Sequence, residues 1–129
     1  FLFTLGNERY AVPVERVERL VSLPFCAPAP LPLPYLVGLA NYRNHAIAVF
    51  DLAKAAGALE PSPYALIVSK EDGDLEGLTV TSALGVRSMR EAILADEQPQ
   101  PRALTGNLRT ACVLKLGPKE PPITLLTHC

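Results

Sequence analysis

An all-β fold, a barrel or a sandwich, is predicted by three observations. Short apolar and β-branched runs recur along the chain with turn signals between them. Thirteen of the 129 residues are proline, about twice the average share, which disfavours long helices. Helical periodicity is confined to single turns.

The elements follow in order. Phe1 to Leu5 is apolar and ends at the turn pair Gly6-Asn7; Arg9 to Val14 resumes with aromatic and β-branched residues, so the two runs read as a hairpin. Pro13 cannot donate to a ladder and belongs at an edge or a strand end. Val14, Val17, Leu20 and Val21 recur at three- and four-residue spacing, but the run is short, and a turn leading into a strand at Arg19–Leu23 is predicted. Five prolines in PFCAPAPLPLP, residues 24–34, deny regular hydrogen bonding. They predict a stiff, polyproline-like loop crossing between elements; a ligand for a proline-binding module is the less favoured reading.

Leu36 to Tyr42 and His45 to Asp51 are two strands joined at Arg43-Asn44, where Asn tolerates the left-handed backbone of a tight hairpin. Leu52 to Gly57 is a short Ala-rich helical turn stopped by Gly57. Glu60-Pro61-Ser62-Pro63 is the clearest internal break. Tyr64 to Ser69, the acidic turn Glu71-Asp72-Gly73-Asp74 and a returning strand over Gly77 to Leu84 predict a second hairpin. A helical turn is expected at 91–95, a loop at 98–101, and two last strands at Thr110–Leu116 and Ile123–Thr127.

Composition narrows the function classes. Hydrophobic residues make up 49% and charged residues 19%, which fits a folded rather than a disordered chain. A chain of this length buries roughly two-thirds of its unfolded surface without staples. Twelve basic against thirteen acidic residues leave a net charge of −1, so no field is available to hold a nucleic-acid backbone. No apolar run is long enough to span a bilayer. Cys26, Cys112 and Cys129 are scattered, without a CxxC spacing, which argues against a disulfide framework or a structural zinc and for a reducing, cytoplasmic setting. Cys26 and Cys112 read as small hydrophobes. The chain opens at Phe1, inside an apolar run and without a Met, which reads as a trimmed or excised domain.

Chemistry is nearly silent. His45 and His128 are far apart, and no further ligands stand at metal-binding spacing, so no metal is expected. Asp51 precedes Leu52 and reads as a cap of the short helix. A Cys26–His45–Asp51 nucleophilic set is conceivable only as geometry, which spacing does not supply. The EDGD turn resembles the start of a calcium loop but nothing completes the ligand series, and a solvated turn is the better reading. No phosphate-cradling glycine motif is present. Protein–protein binding is the remaining role for a compact β domain with apolar strands and several edges.

One stretch carries a resemblance. Tyr35–Gly57, YLVGLANYRNHAIAVFDLAKAAG, is similar to the CheW-like domain, with Gly38, Asn41, Arg43, Asp51, Leu52 and Gly57 in register. FTLGNERYAVPVERVERL resembles that family's opening through Phe3, Leu5, Gly6, Glu8, Tyr10, Val14 and Val17. GLTVTSALGV resembles a later segment through Gly77, Leu78, Val80 and Val86; Pro99–Pro101 and Ala103–Gly106 parallel the close. The order is correct over nearly the whole chain. Departures are Arg19 where the family has an acid (Glu18 stands one place early), Asn44 for Gly, Ala48 for Pro, Thr81 for Asp and Ala83 for Val.

The resemblance implies two packed, five-stranded, SH3-like β-barrels in a single domain over 1–129. The lobes would break near 60–64, with the C-terminal strands able to complete a lobe out of order. It implies a non-catalytic adaptor without cofactor or metal. Such an adaptor couples the cytoplasmic tip of a chemoreceptor to the regulatory domain of a CheA-type histidine kinase, in the cytoplasm and recruited to membrane receptor arrays, with no nucleic-acid partner and no membrane insertion. By position, Val17, Arg19, Arg43 and Val86 would lie in or near the receptor groove between the lobes. Plain core packing for Val17 and a solvated turn for Arg43 are the readings without that resemblance. Two other functions stay open: a CheW-like module of another pathway, such as twitching motility, or of a larger chain; and a small enzyme, which would need a pocket with convergent polar groups.

Overall fold

Gly6-Asn7 reverses the chain as expected: β1 (Leu2–Leu5) and β2 (Glu8–Ala11) pair antiparallel, from Leu2 opposite Ala11 to Leu5 opposite Glu8. A computed structural model describes residues 1–29, 32–106 and 108–128. After β2, Pro13 ends the ladder and precedes a single 3₁₀ turn at Val14–Arg16. The strand beyond it, β3 (Val17–Ser22), starts two residues earlier than the sequence predicts. β4 (Leu36–Tyr42) and β5 (His45–Phe50) form the second hairpin, and α1 (Leu52–Ala55) follows. Asp51 caps α1 as expected: its Oδ1 accepts the Lys54 amide at 3.1 Å and the Thr79 hydroxyl at 2.9 Å, which ties the helix to the neighbouring sheet. β6 (Tyr64–Ser69) and β7 (Leu75–Val80) close the acidic turn, where Asp72 Oδ1 accepts the Asp74 amide at 2.9 Å.

The remaining strands are β8 (Ser82–Gly85), β9 (Ile93–Leu94), β10 (Ala103–Thr105), β11 (Leu108–Lys115) and β12 (Ile123–His128). Two sheets result. One has the order β3-β6-β7-β5-β4. The other runs β10-β11-β12-β2-β1-β8, with β9 also on β11. The first of these has the expected five strands. The second has seven among the described residues, because the short β9 and β10 share one edge of β11: Leu108 and Arg109 face β10, Leu114 and Lys115 face β9.

The run 77–84 is not one strand. At Thr81 the chain leaves one sheet for the other: its amide donates to Thr4 O at 2.9 Å, its Oγ1 accepts the Gly6 amide at 2.8 Å, and β8 then pairs with β1. Residues 91–95 hold β9 rather than a helical turn, since β11 offers a free edge to Ile93 and Leu94. Residues 60–64 do not divide the lobes. They connect α1 to β6, which opens at Tyr64 in the same sheet as β5, and the chain changes sheet after β2 and after β7.

Alternation explains how the sheets pack. On β6, Leu66 and Val68 face a core shared by both sheets, while Ala65 and Ile67 face a second core inside their own sheet. The shared core joins Phe3, Leu5, Tyr10, Leu104, Leu108 and Leu126 from one sheet, with Val12 just past β2, to Phe50, Leu66, Val68, Leu78 and Val80 from the other, with Leu52 of α1. A third core, Leu2, Ala11 and Ile123, lies within the seven-stranded sheet. Both faces of β6 and β7 are therefore covered; β6 reads as a near-continuous apolar run, while β7 buries Glu76 and Thr79 among its apolar residues. Of the proline-rich loop, Ala27 bridges Leu39 on β4 through two 2.8 Å backbone bonds; Pro30 and Leu31 lie outside the described residues. Cys26 and Cys112 are free and half-buried; Cys129 lies outside the described residues.

Candidate partner-binding surface

The β4–β5 hairpin turns on two residues, and both adopt left-handed backbone: Arg43 at φ +49° and Asn44 at φ +66°. That geometry matches the twist of the flanking strands. Asn41 Oδ1 accepts the Asn44 amide at 3.1 Å and holds the turn. Arg43 is thereby displayed at a hairpin tip, with its guanidinium 5.4 Å from the centre of the Tyr42 ring. Its Nη1 donates to Glu18 Oε1 at 3.3 Å.

Glu18 lies on β3, and β3 and β4 are the two ends of the sheet path. The ion pair shows that this sheet has curled until its ends come within side-chain reach. The pair is largely exposed, so it contributes at most about 1 kcal/mol to folding. Its geometry matters more: it fixes the hairpin tip beside the start of β3.

The remaining site residues divide. Val17 opens β3, opposite Val68, half-buried against the shared core. Arg19 is exposed on the same strand, opposite Ile67. One residue step on β6 faces two on β3, so Glu18 is the extra residue of a β-bulge. Val17, Glu18, Arg19 and Arg43 thus share one end of the five-stranded sheet. Val86 stands just past β8 on the other sheet, 69% exposed, and the described residues show no bond joining it to that group. Sequence reasoning noted Glu18 only as an acid one place early and gave it no role. Register put the expected acid at Arg19, whereas the bulge turns the acid one place earlier outward toward Arg43.

The catalytic alternatives do not assemble. His45 opens β5 and Asp51 follows its last residue, about 20 Å away at the usual rise of an extended strand. Burial pushes the Cys26 thiol up, away from the thiolate a nucleophile needs. Among the described residues no three His, Cys, Asp or Glu side chains are grouped to hold a metal. His128, weighed as a metal ligand, instead meets Glu76: Nε2 lies 2.7 Å from Oε1, both side chains are buried, and the contact joins β12 to β7 across the two sheets. No sequence spacing signals that pair, because it links residues of different sheets. Among the described residues, no helix is long and apolar enough to cross a membrane.

A surface cavity of about 280 Å³ holds Glu8, Tyr10, Arg102 and Cys112. Tyr10 donates to Glu8 Oε2 at 3.1 Å, and burial together with Glu8 pushes its pKa up to about 12. Its folded value therefore lies above the ordinary value near 10. The folded chain keeps this proton where the unfolded chain has lost it, so stability should fall as pH rises from 10 toward 12. Melts across that range should show this decline, and Tyr10→Phe should flatten it; an equal decline in the variant would assign it to other groups.

The sequence model of the CheW-like domain matches residues 1–117. No curated protein gives a significant match. Among solved structures, the scaffolding protein TtCheW from Thermoanaerobacter tengcongensis is similar in fold, with a TM-score of 0.74 and 21% sequence identity over 98% of this chain and 86% of that one. With a family match across most of its length and two packed sheets in that arrangement, the chain belongs to the CheW-like domain family.

Proposed function

We propose that this chain is a non-catalytic coupling adaptor of chemotaxis signalling. It bridges the cytoplasmic tip of a chemoreceptor to the regulatory domain of a CheA-type histidine kinase, in the cytoplasm at receptor arrays. Family membership and the likeness to a scaffolding protein support the class of role. The observation that carries the reading is Arg43: a left-handed hairpin tip, anchored by Glu18 and displayed beside Val17 at the end of a curled sheet. Val86 belongs to the proposed groove as its wall from the second lobe, and Arg19 lies at its rim.

Arg43→Ala is the direct test. Arg43 makes one exposed ion pair and lies over the Tyr42 ring, so melting should change by about 1 kcal/mol or less. An interface Arg held by hydrogen bonds is worth about 2 kcal/mol on truncation, roughly thirtyfold in affinity. Titration with a receptor-tip fragment should therefore weaken while the melt changes little. Equal affinity removes Arg43 from the receptor surface, and a large loss of stability recasts it as a structural residue.

A further inference from the structure

The start of β3 displays cations of different standing. Arg16, in the 3₁₀ turn, lies 4.0 Å from Glu71, and both line the crevice between the sheets together with Glu15. Arg43 is matched by Glu18. Arg19 forms no ion pair among the described residues, and the bulge leaves it exposed next to the already neutralised Glu18. β3 is also an edge strand, paired on one side by β6. Exposed apolar residues stand beyond both ends of this strand: Val14, in the turn before it, is 48% exposed and Leu23, just after it, is 42% exposed.

Bulges commonly re-aim a side chain or end a pairing beside a functional site. Here the bulge separates two neighbouring charges by role. Glu18 turns to the hairpin tip, where it pairs with Arg43, and Arg19 is left for solvent or a partner. A partner that buries this edge must cover a guanidinium. Covering it without an acceptor costs desolvation, whereas a carboxylate gives two parallel charge-assisted hydrogen bonds.

We propose that Arg19 is the specificity-determining residue of this surface, and that it selects a partner with a carboxylate set among apolar side chains. Given the coupling reading above, on which this rests, that carboxylate is an Asp or Glu on the apolar face of the helical receptor tip. Arg19 then discriminates among tips by electrostatic fit, while Arg43 and Val17 supply contact common to all of them.

The test uses the full chain and a helical-hairpin fragment of a receptor cytoplasmic tip, titrated near about 0.05 M and about 0.5 M salt to span weak and strong screening. Arg19→Glu should weaken binding at least about tenfold at low salt, as like charges meet across the contact. Arg19→Ala should lose part of the salt dependence that the unaltered chain shows. Changing the matching tip acid to Lys should restore binding to the R19E protein. Both variants should melt with the unaltered chain, since the residue is exposed. Binding of R19E equal to that of the unaltered chain overturns this inference and leaves the coupling reading standing. Failure of the unaltered chain to bind any tip overturns the coupling reading and this inference together. Equal loss in R19E and R19A with no salt dependence would assign Arg19 a packing role and overturn charge selection.

Discussion

Leu66→Ala should destabilise the protein by about 3–4 kcal/mol, the range for emptying a well-packed core site. For a chain of this length that lowers the melting temperature by roughly 12 °C. Leu66 is fully buried at the centre of β6, with Leu20 and Leu78 directly across the strands on either side. It belongs to the core that both sheets share. The loss should therefore lower one cooperative transition, with both sheets melting together. A variant that melts in two steps, with only the five-stranded sheet weakened, would show that the shared core does not couple the lobes.

Gly38→Ala should cost about 2–3 kcal/mol, the usual penalty of forcing an extra atom into a filled space. A Cβ on Gly38 would stand 2.2 Å from the Ala27 carbonyl oxygen and 2.9 Å from its carbon. Both are backbone atoms, fixed by the two hydrogen bonds between Ala27 and Leu39, so neither can rotate away. The φ of +155° adds strain for any side chain. Hydrogen exchange should report the site directly: the Ala27 and Leu39 amides should lose protection first. A G38A protein with unchanged melting and unchanged protection there would contradict this account. The family register of Gly38 thus has a steric cause, a close crossing of the proline-rich loop over an edge strand.

Much of the fold was legible because the signals were local. β4 and β6 fall at the residues their patterns mark, since each is bounded by turn chemistry: Arg43-Asn44 on one, the acidic turn on the other. What failed was non-local. Nothing in Leu78 to Leu84 marks Thr81 as the point where the chain changes sheet; that depends on Thr4 and Gly6, which come together only in the folded chain. Ile93-Leu94 became a strand because β11 had an edge to offer. The proline break at 60–63 looked like a boundary, yet the Leu23 amide bonds to Pro63 O at 2.9 Å, inside one sheet. For the site, Arg43 was visible through its turn and its register. The role of Glu18 was hidden by a one-residue bulge, which periodicity does not encode.

The place of β12 bears on how the chain acquires this structure. β12 inserts parallel to β2, setting Thr124 beside Tyr10, and so separates β11 from the opening hairpin. During synthesis the β1–β2 hairpin leaves the ribosome with that edge of β2 unpaired, and it stays so until β12 has emerged. Pairings of such long sequence separation close slowly, because loop entropy is lost before contacts compensate. The exposed edge, carrying Tyr10 and Ala11, is meanwhile a template for another chain. Folding of the isolated protein should accordingly be slow for its size, and truncation before Ile123 should promote aggregation.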